Sequence, residues 1–314
     1  MAELSVEIAG IRLRNPLLLA SGIWGESGQS LAGAWDAGAG GVITKSIGSE
    51  PRPGYPNPTV EEFGSWGMLN AMGLPNPGIA EYPREIAIAR DRGALVIGSI
   101  FGGTAEEFAR LAREMEATGV RALELNLSCP HAEGFGTEIG STPQDVSDVV
   151  RAVVREVKVP VIAKITPNSA DPAGLAVAAE EAGAKGISAI NTVRGLAIDT
   201  TLARPVLAHG IGGLSGPAIK SVGLAAVWQI YRKVTIPIIG VGGISNGIDA
   251  LEYVMAGARA VEIGTAVAHE GVRVLGRIVR ELDDTLTERG VARLADLVGA
   301  AHRGFNVPTA DARP

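Results

Sequence analysis

Val161-Ile162-Ala163-Lys164 is a short apolar run that ends on a lysine, and Gly41-Val42-Ile43-Thr44-Lys45 repeats the pattern far upstream. Runs that are apolar at consecutive rather than alternate positions suit strands covered on both faces, as in a parallel sheet. Working outward from these two, comparable runs occur at residues 17–20, 41–45, 94–100, 122–128, 160–165, 186–191, 236–241 and 260–264. The segments between them carry helix signals. Thr104 followed by Glu107 reads as a capping box, with Phe108, Leu111 and Met115 at helical spacing behind it. Thr142-Pro143 places a cap residue before a proline at the first helical position, and Gly119, Gly183 and Gly257 fall where helices should end. Eight such units in 314 residues predict an α/β fold of the (β/α)8 TIM-barrel type, ahead of an open doubly wound sheet.

Two parts stand outside the repeat. Residues 6–13, around Gly10, read as an N-terminal β-hairpin, and residues 46–77 form a long insertion after strand 2, rich in Pro, Gly and Asn. An insertion of that length is too long for an ordinary loop and points to function. No linker divides the chain, so residues 1–314 read as one barrel domain.

Composition narrows the function classes. Only 4% of residues are aromatic, so aliphatic side chains must fill the core, and 42 glycines are nearly twice average usage. A net charge of −6 argues against nucleic acid as a partner. No stretch of eighteen apolar residues suggests a membrane span, and the N-terminal residues do not read as a signal peptide, so a cytoplasmic protein is expected. A single cysteine excludes an internal disulfide and any multi-cysteine metal or iron–sulfur site, and no metal site is expected.

In a barrel of this type the active site lies at the C-terminal ends of the strands. Polar or glycine residues stand there repeatedly: Ser21-Gly22, Lys45-Ser46, Ser99, Asn126 with Cys129, Lys164, Asn191-Thr192, Gly242-Gly243 and Gly264-Thr265. The last two pairs follow strands seven and eight, the usual place for a phosphate held by backbone N–H groups and a helix N-terminus. A lysine closing a buried strand needs an anionic partner, and a bound phosphate, carboxylate or reduced flavin would supply one. Cys129, in Asn126-Leu127-Ser128-Cys129-Pro130-His131, precedes a glycine-containing stretch with Gly134, Gly136 and Gly140. A lone cysteine is commonly a small buried hydrophobe. At a barrel mouth the thiol is also a candidate nucleophile or base, as is His131 in the same loop.

The residues now in view resemble a known family. The chain is similar to class 1 dihydroorotate dehydrogenases, most of all the B type, through four motifs in order. These are Asn70-Ala71-Met72-Gly73-Leu74-Pro75-Asn76-Pro77-Gly78, the Cys129 segment, Ala189-Ile190-Asn191-Thr192, and Gly212-Gly213-Leu214-Ser215-Gly216-Pro217-Ala218-Ile219-Lys220. The resemblance implies an FMN-binding barrel that oxidises (S)-dihydroorotate to orotate in pyrimidine (UMP) biosynthesis, with Cys129 as the catalytic base. It implies substrate contacts from Lys45, Asn70, Met72, Gly73, Leu74, Asn126, Asn191 and Thr192. It implies flavin contacts from Ser21, Lys45, Ser46, Ser99, Asn126, Lys164, Ile190, Gly216, Gly242, Gly243, Gly264 and Thr265. It also implies a homodimer core within a heterotetramer, the second subunit carrying FAD and a [2Fe–2S] cluster and passing electrons to NAD+.

Three positions depart from the family pattern. His131 and Ser99 each stand where relatives often carry Asn, and Ser221 stands where Pro is common. Cysteine-proline-histidine also resembles dihydropyrimidine dehydrogenases acting on uracil and thymine, the main alternative. A noncatalytic flavin-binding subunit is a further one, and a tRNA-modifying flavin barrel suits the acidic balance less.

Overall fold

The structure, a computed structural model, describes residues 2–128 and 139–304. It opens with the expected hairpin, β1 (Val6–Ile8) paired antiparallel with β2 (Ile11–Leu13). The barrel proper begins with β3 (Leu17–Leu19) and β4 (Gly41–Ile43). The insertion then contributes β5 (Val60–Glu62) and β6 (Met68–Asn70). The barrel resumes with β7 (Val96–Ile100), β8 (Ala122–Asn126), β9 (Val161–Ile165) and β10 (Gly186–Ala189). Next come the short strands β11 (Val193–Gly195), β12 (Ile198–Asp199), β13 (Arg204–Pro205) and β14 (Gly212–Ser215). The last barrel strands are β15 (Ile238–Val241) and β16 (Ala258–Ile263). In the order β3-β4-β7-β8-β9-β10-β15-β16 the eight strands close on themselves, all parallel. The TIM barrel read from the apolar runs is the fold.

Helices α1 (Gly28–Asp36), α2 (Tyr82–Asp91), α3 (Ala105–Ala117), α4 (Pro143–Val154), α5 (Pro172–Glu181), α6 (Lys220–Tyr231) and α7 (Gly247–Ala256) form the connections. After β16 come the short α8 (Thr265–Glu270) and the long α9 (Arg273–Glu288). Thr142 caps α4 by accepting from the Asp145 N–H, with Pro143 in the first turn. Thr104 likewise accepts from the Glu107 N–H, but the reciprocal bond of a capping box is displaced. Glu107 instead accepts from the Gly103 N–H and from Ser49, tying α3 to the insertion.

The insertion is more ordered than a loop. Its strands β5 and β6 join β14 and β11 in a four-stranded antiparallel sheet of order β11-β14-β6-β5, with Asn70 opposite Gly213. Leu69, Ala71 and Leu207 form a small core beneath it, separate from that of the barrel. A second segment, between β10 and β15, thus completes what the insertion begins.

Tyr253 of α7 is fully buried and sends its hydroxyl to the Gly242 carbonyl at 2.7 Å. Its ring leaves no room for a side chain at Gly240, where an added Cβ would meet Tyr253 Cγ at 3.0 Å and Cδ1 closer still. Gly240→Ala should therefore overpack this junction and cost about 1–3 kcal/mol. Urea unfolding is expected to show a lower midpoint with unchanged slope; an unchanged midpoint would contradict this packing.

Candidate active site

A single cleft of about 1090 Å³ lies over the C-terminal ends of the barrel strands and under the four-stranded sheet. That volume exceeds what a small substrate alone fills. Every predicted substrate residue lines it: Lys45, Asn70, Met72, Gly73, Leu74, Asn126, Asn191 and Thr192. So do Ser21, Ser46, Lys164, Ile190, Gly216, Gly242, Gly243, Gly264 and Thr265 from the cofactor set. Ser99 does not line the cleft. It is fully buried and hydrogen-bonds to Ser46 at 3.0 Å and to Glu124 at 3.2 Å, so it supports Ser46 from below. Cys129 and His131 lie outside the described residues; Ser128, next to Cys129 in the chain, lines the cleft, and its buried hydroxyl has no partner among the described residues.

Two parts of the chain meet here. From the barrel, Asn191 donates to the Asn126 side chain at 3.2 Å, and Asn126 donates to Ser46 at 3.0 Å. From the covering sheet, Asn70 donates to the Gly213 carbonyl at 3.1 Å. The turn that follows is left-handed at Gly73 (φ +72°) and at Leu74 (φ +56°). A non-glycine residue there costs of order 1–3 kcal/mol, which the surrounding packing must offset. Backbone held in this way belongs with ligand-clamping segments.

At the other end, Gly216, Gly242-Gly243 and Gly264-Thr265 come together. A Cβ at Gly243 (φ +69°) would meet the Gly216 carbonyl at 2.8 Å and the Lys220 N–H nitrogen at 2.9 Å. Only glycine lets these turns approach each other, and Gly264 caps α8. Such a cradle of bare backbone fits a phosphate, and the cleft beside it fits the ring system of a flavin mononucleotide.

The lysines do not depend on a ligand for their counter-charge, which corrects the expectation from sequence. Lys45, 6% exposed, pairs with Glu26. Lys164, 4% exposed, donates to Glu262 at 2.6 Å and to Ser21 at 3.2 Å, and lies 3.5 Å from Glu124 Oε2. Ser188 donates to the other Glu262 oxygen at 2.7 Å, and Ser21 to Glu124 Oε1 at 2.8 Å. Burial alone would push the Lys164 ammonium down, but Glu124 and Glu262 hold it above the ordinary lysine value. Burial pushes the Glu262 carboxyl up; Glu124 adds to that, and Lys164 opposes it. Sequence reasoning passed over both glutamates. The signal was present, since each is a lone acid within an otherwise apolar strand, in Ala122-Leu123-Glu124-Leu125 and Ala260-Val261-Glu262-Ile263.

A sequence model of the family described as dihydroorotate dehydrogenase matches residues 3–286. A Methanocaldococcus jannaschii protein is 50% identical over 304 residues, covering 95% of this chain and 98% of its own. One from Pyrococcus horikoshii is 49% identical over 298 residues, covering 95% and 97%, and one from Thermoplasma acidophilum 47% over 303 residues, covering 96% and 100%. All three are named dihydroorotate dehydrogenase B (NAD(+)), catalytic subunit.

The buried charges make a stability prediction. Lys164→Met leaves two carboxyls without their cation and should cost about 3–5 kcal/mol near neutral pH. The buried Glu262 carboxyl, with its opposing cation gone, then holds its proton more tightly folded than unfolded, so the folded state binds more protons. Stability is accordingly lost as the pH rises above about 4.3, where an unfolded glutamate ionises. The unfolding midpoint of Lys164→Met should recover on acidification towards that value; a deficit independent of pH would contradict the charge assignment.

Proposed function

The chain belongs to the dihydroorotate dehydrogenase family, and on that premise we propose that it oxidises (S)-dihydroorotate to orotate on the route to UMP. One observation carries the reading. Pairing of β6 with β14 brings Asn70 and the Met72–Leu74 turn over the same cleft that Asn126, Asn191, Lys45 and Lys164 reach from the barrel. Each asparagine amide offers a donor and an acceptor, matching the alternating C=O and N–H edge of a dihydropyrimidine. Lys45 and the turn at Gly73 and Leu74 suit the carboxylate that distinguishes dihydroorotate from dihydrouracil.

The glycine turns would hold the phosphate of FMN, with Lys164, Ser21 and Ile190 against its ring. When bound, FMN supplies an acceptor for the hydride leaving C6 of the substrate. Lys164 presents positive charge on the N1/C2=O side, where negative charge develops. Cys129, the residue after cleft-lining Ser128, takes the proton from C5. Its unperturbed thiol ionises near pH 8.5, so turnover rises with pH towards that value.

The relatives' name, catalytic subunit of an NAD(+)-linked enzyme, supports a partner that passes electrons to NAD+ through FAD and a [2Fe–2S] cluster. One cysteine in this chain cannot ligate such a cluster itself. Exposed apolar side chains on and around the covering sheet, among them Trp66, Leu196, Ile198 and Ile211, favour subunit contacts there, whether in a homodimer core or with that partner. No helix among the described residues is long and apolar enough to cross a membrane.

Three outcomes check the proposal. Dihydroorotate should bleach the flavin of the FMN-loaded chain anaerobically while dihydrouracil does not; the reverse would favour a uracil-type reductase. Cys129→Ser should keep the flavin and lose about 10²–10⁴-fold in turnover near neutral pH; full activity would remove Cys129 as the base. Gly243→Ala should lose FMN on gel filtration, and a variant that retains it as tightly as wild type would displace the phosphate from these turns.

A further inference from the structure

Glu124 on β8 and Glu262 on β16 are 0% and 1% exposed, and Lys164 on β9 lies against both. The polar surroundings of Glu262 are few. Strands β3 and β15 carry only apolar residues and glycine, and β10 offers Ser188 alone. On α7, packed against β16, Asp249 and Glu252 are engaged by Lys220, and Glu7 of β1 is exposed. Two carboxyls therefore share one ammonium in a buried setting. Fully ionised, the three groups would hold an uncompensated negative charge, which such a site resists by keeping a proton.

The hydrogen bonds show how the two carboxyls are held. Both Glu262 oxygens accept, from Ser188 and from Lys164, and Glu124 Oε1 accepts from Ser21 and Ser99. Glu124 Oε2 is buried 3.5 Å from the same Lys164 ammonium. The neighbouring Glu124 carboxyl favours the protonated form of Glu262, and Lys164 opposes it. Ser21 lines the cleft, accepts from Lys164 and donates to Glu124, which connects the pair to the cleft.

We propose that Glu124 and Glu262 form a shared-proton carboxyl pair that takes up one further proton when negative charge arrives over Lys164. This rests on the flavin reading above. With oxidised flavin the three groups are neutral together: one ammonium, one carboxylate and one carboxylic acid. Two electrons and one proton convert the flavin to its anionic reduced form, the electrons coming from the dihydropyrimidine or, in a titration, from dithionite. A second proton, from solvent, converts the remaining carboxylate to the acid, and the site is neutral again. Neither glutamate touches substrate in this account. Both are positioning residues that set the charge around Lys164.

The test is the midpoint potential of the bound flavin as a function of pH, measured on FMN-loaded protein by mediated dithionite titration above neutral pH. A tenfold change for a two-electron couple is about 30 mV. Two protons per two electrons therefore predict a slope of about 59 mV per pH unit in wild type, with an absorbance spectrum of anionic reduced flavin. The double variant Glu124→Gln/Glu262→Gln should halve the slope, because no carboxyl is left to take up the second proton. A slope of about 30 mV in wild type, an unchanged slope in the double variant, or a steep slope with neutral reduced flavin would each overturn the proposal. Should the double variant fail to fold, the infrared difference spectrum of wild type decides. Reduction should add a protonated-carboxyl band, and its absence overturns the pair. Flavin that binds and bleaches with dihydroorotate but fails these tests removes only the carboxyl pair; a chain that takes up no flavin removes both readings.

Discussion

The ion pair between Lys164 and Glu262 crosses the interior of the barrel, and the active face is built outward from it. The two residues sit on β9 and β16, which are separated in the barrel order by β10 and β15. A cross-barrel bond of 2.6 Å in the buried interior fixes how those strands face one another. From Lys164 the polar contacts continue through Ser21 to Glu124, then through Ser99 and Ser46 to Asn126 and Asn191. The other mouth residues thus inherit their positions from a charged centre whose Lys164 and Glu262 themselves line the cleft. A buried charge cluster of this kind is weak grounds for added stability, since desolvation opposes the Coulomb gain. What it contributes is geometry at the floor of the cleft.

The covering sheet supplies the other half of the cleft, and its logic is different. Asn70 reaches the site only because β6 pairs with a strand whose Gly213 lies 143 residues away. Glycines at 212 and 213 permit that approach. A Cβ on Gly212 would meet the Asn70 carbonyl oxygen at 2.6 Å, and one on Gly213 would collide with Thr192. The walls of the cleft are therefore divided between the barrel and a long-range pairing.

Sequence made the barrel legible because its strands are buried on both faces and so appear as unbroken apolar runs. It also pointed to residues that the structure brings to one cleft, since the residues that end those runs are polar against a strong apolar background. The covering sheet escaped for the opposite reason. Its strands are three or four residues long, partly exposed and in two cases glycine-containing, so neither alternation nor apolar runs mark them. Glu124 and Glu262 escaped because their meaning lies in pairing across the barrel, which a linear reading cannot see. The same omission made Lys45 and Lys164 seem to need a ligand's charge, whereas Glu26, Glu124 and Glu262 provide it. Ser99, expected at the flavin, faces Glu124 and Ser46 beneath the cleft.

The most direct test of the account is a crystal structure of the FMN-loaded chain with orotate. It should place the orotate ring between the flavin and the covering sheet, its amide edges on Asn70, Asn126 and Asn191. The carboxylate should lie against Lys45 and the turn at Met72, Gly73 and Leu74, with Lys164 at the flavin ring. Orotate bound away from the asparagines, or a flavin ring out of reach of Lys164, would contradict the account.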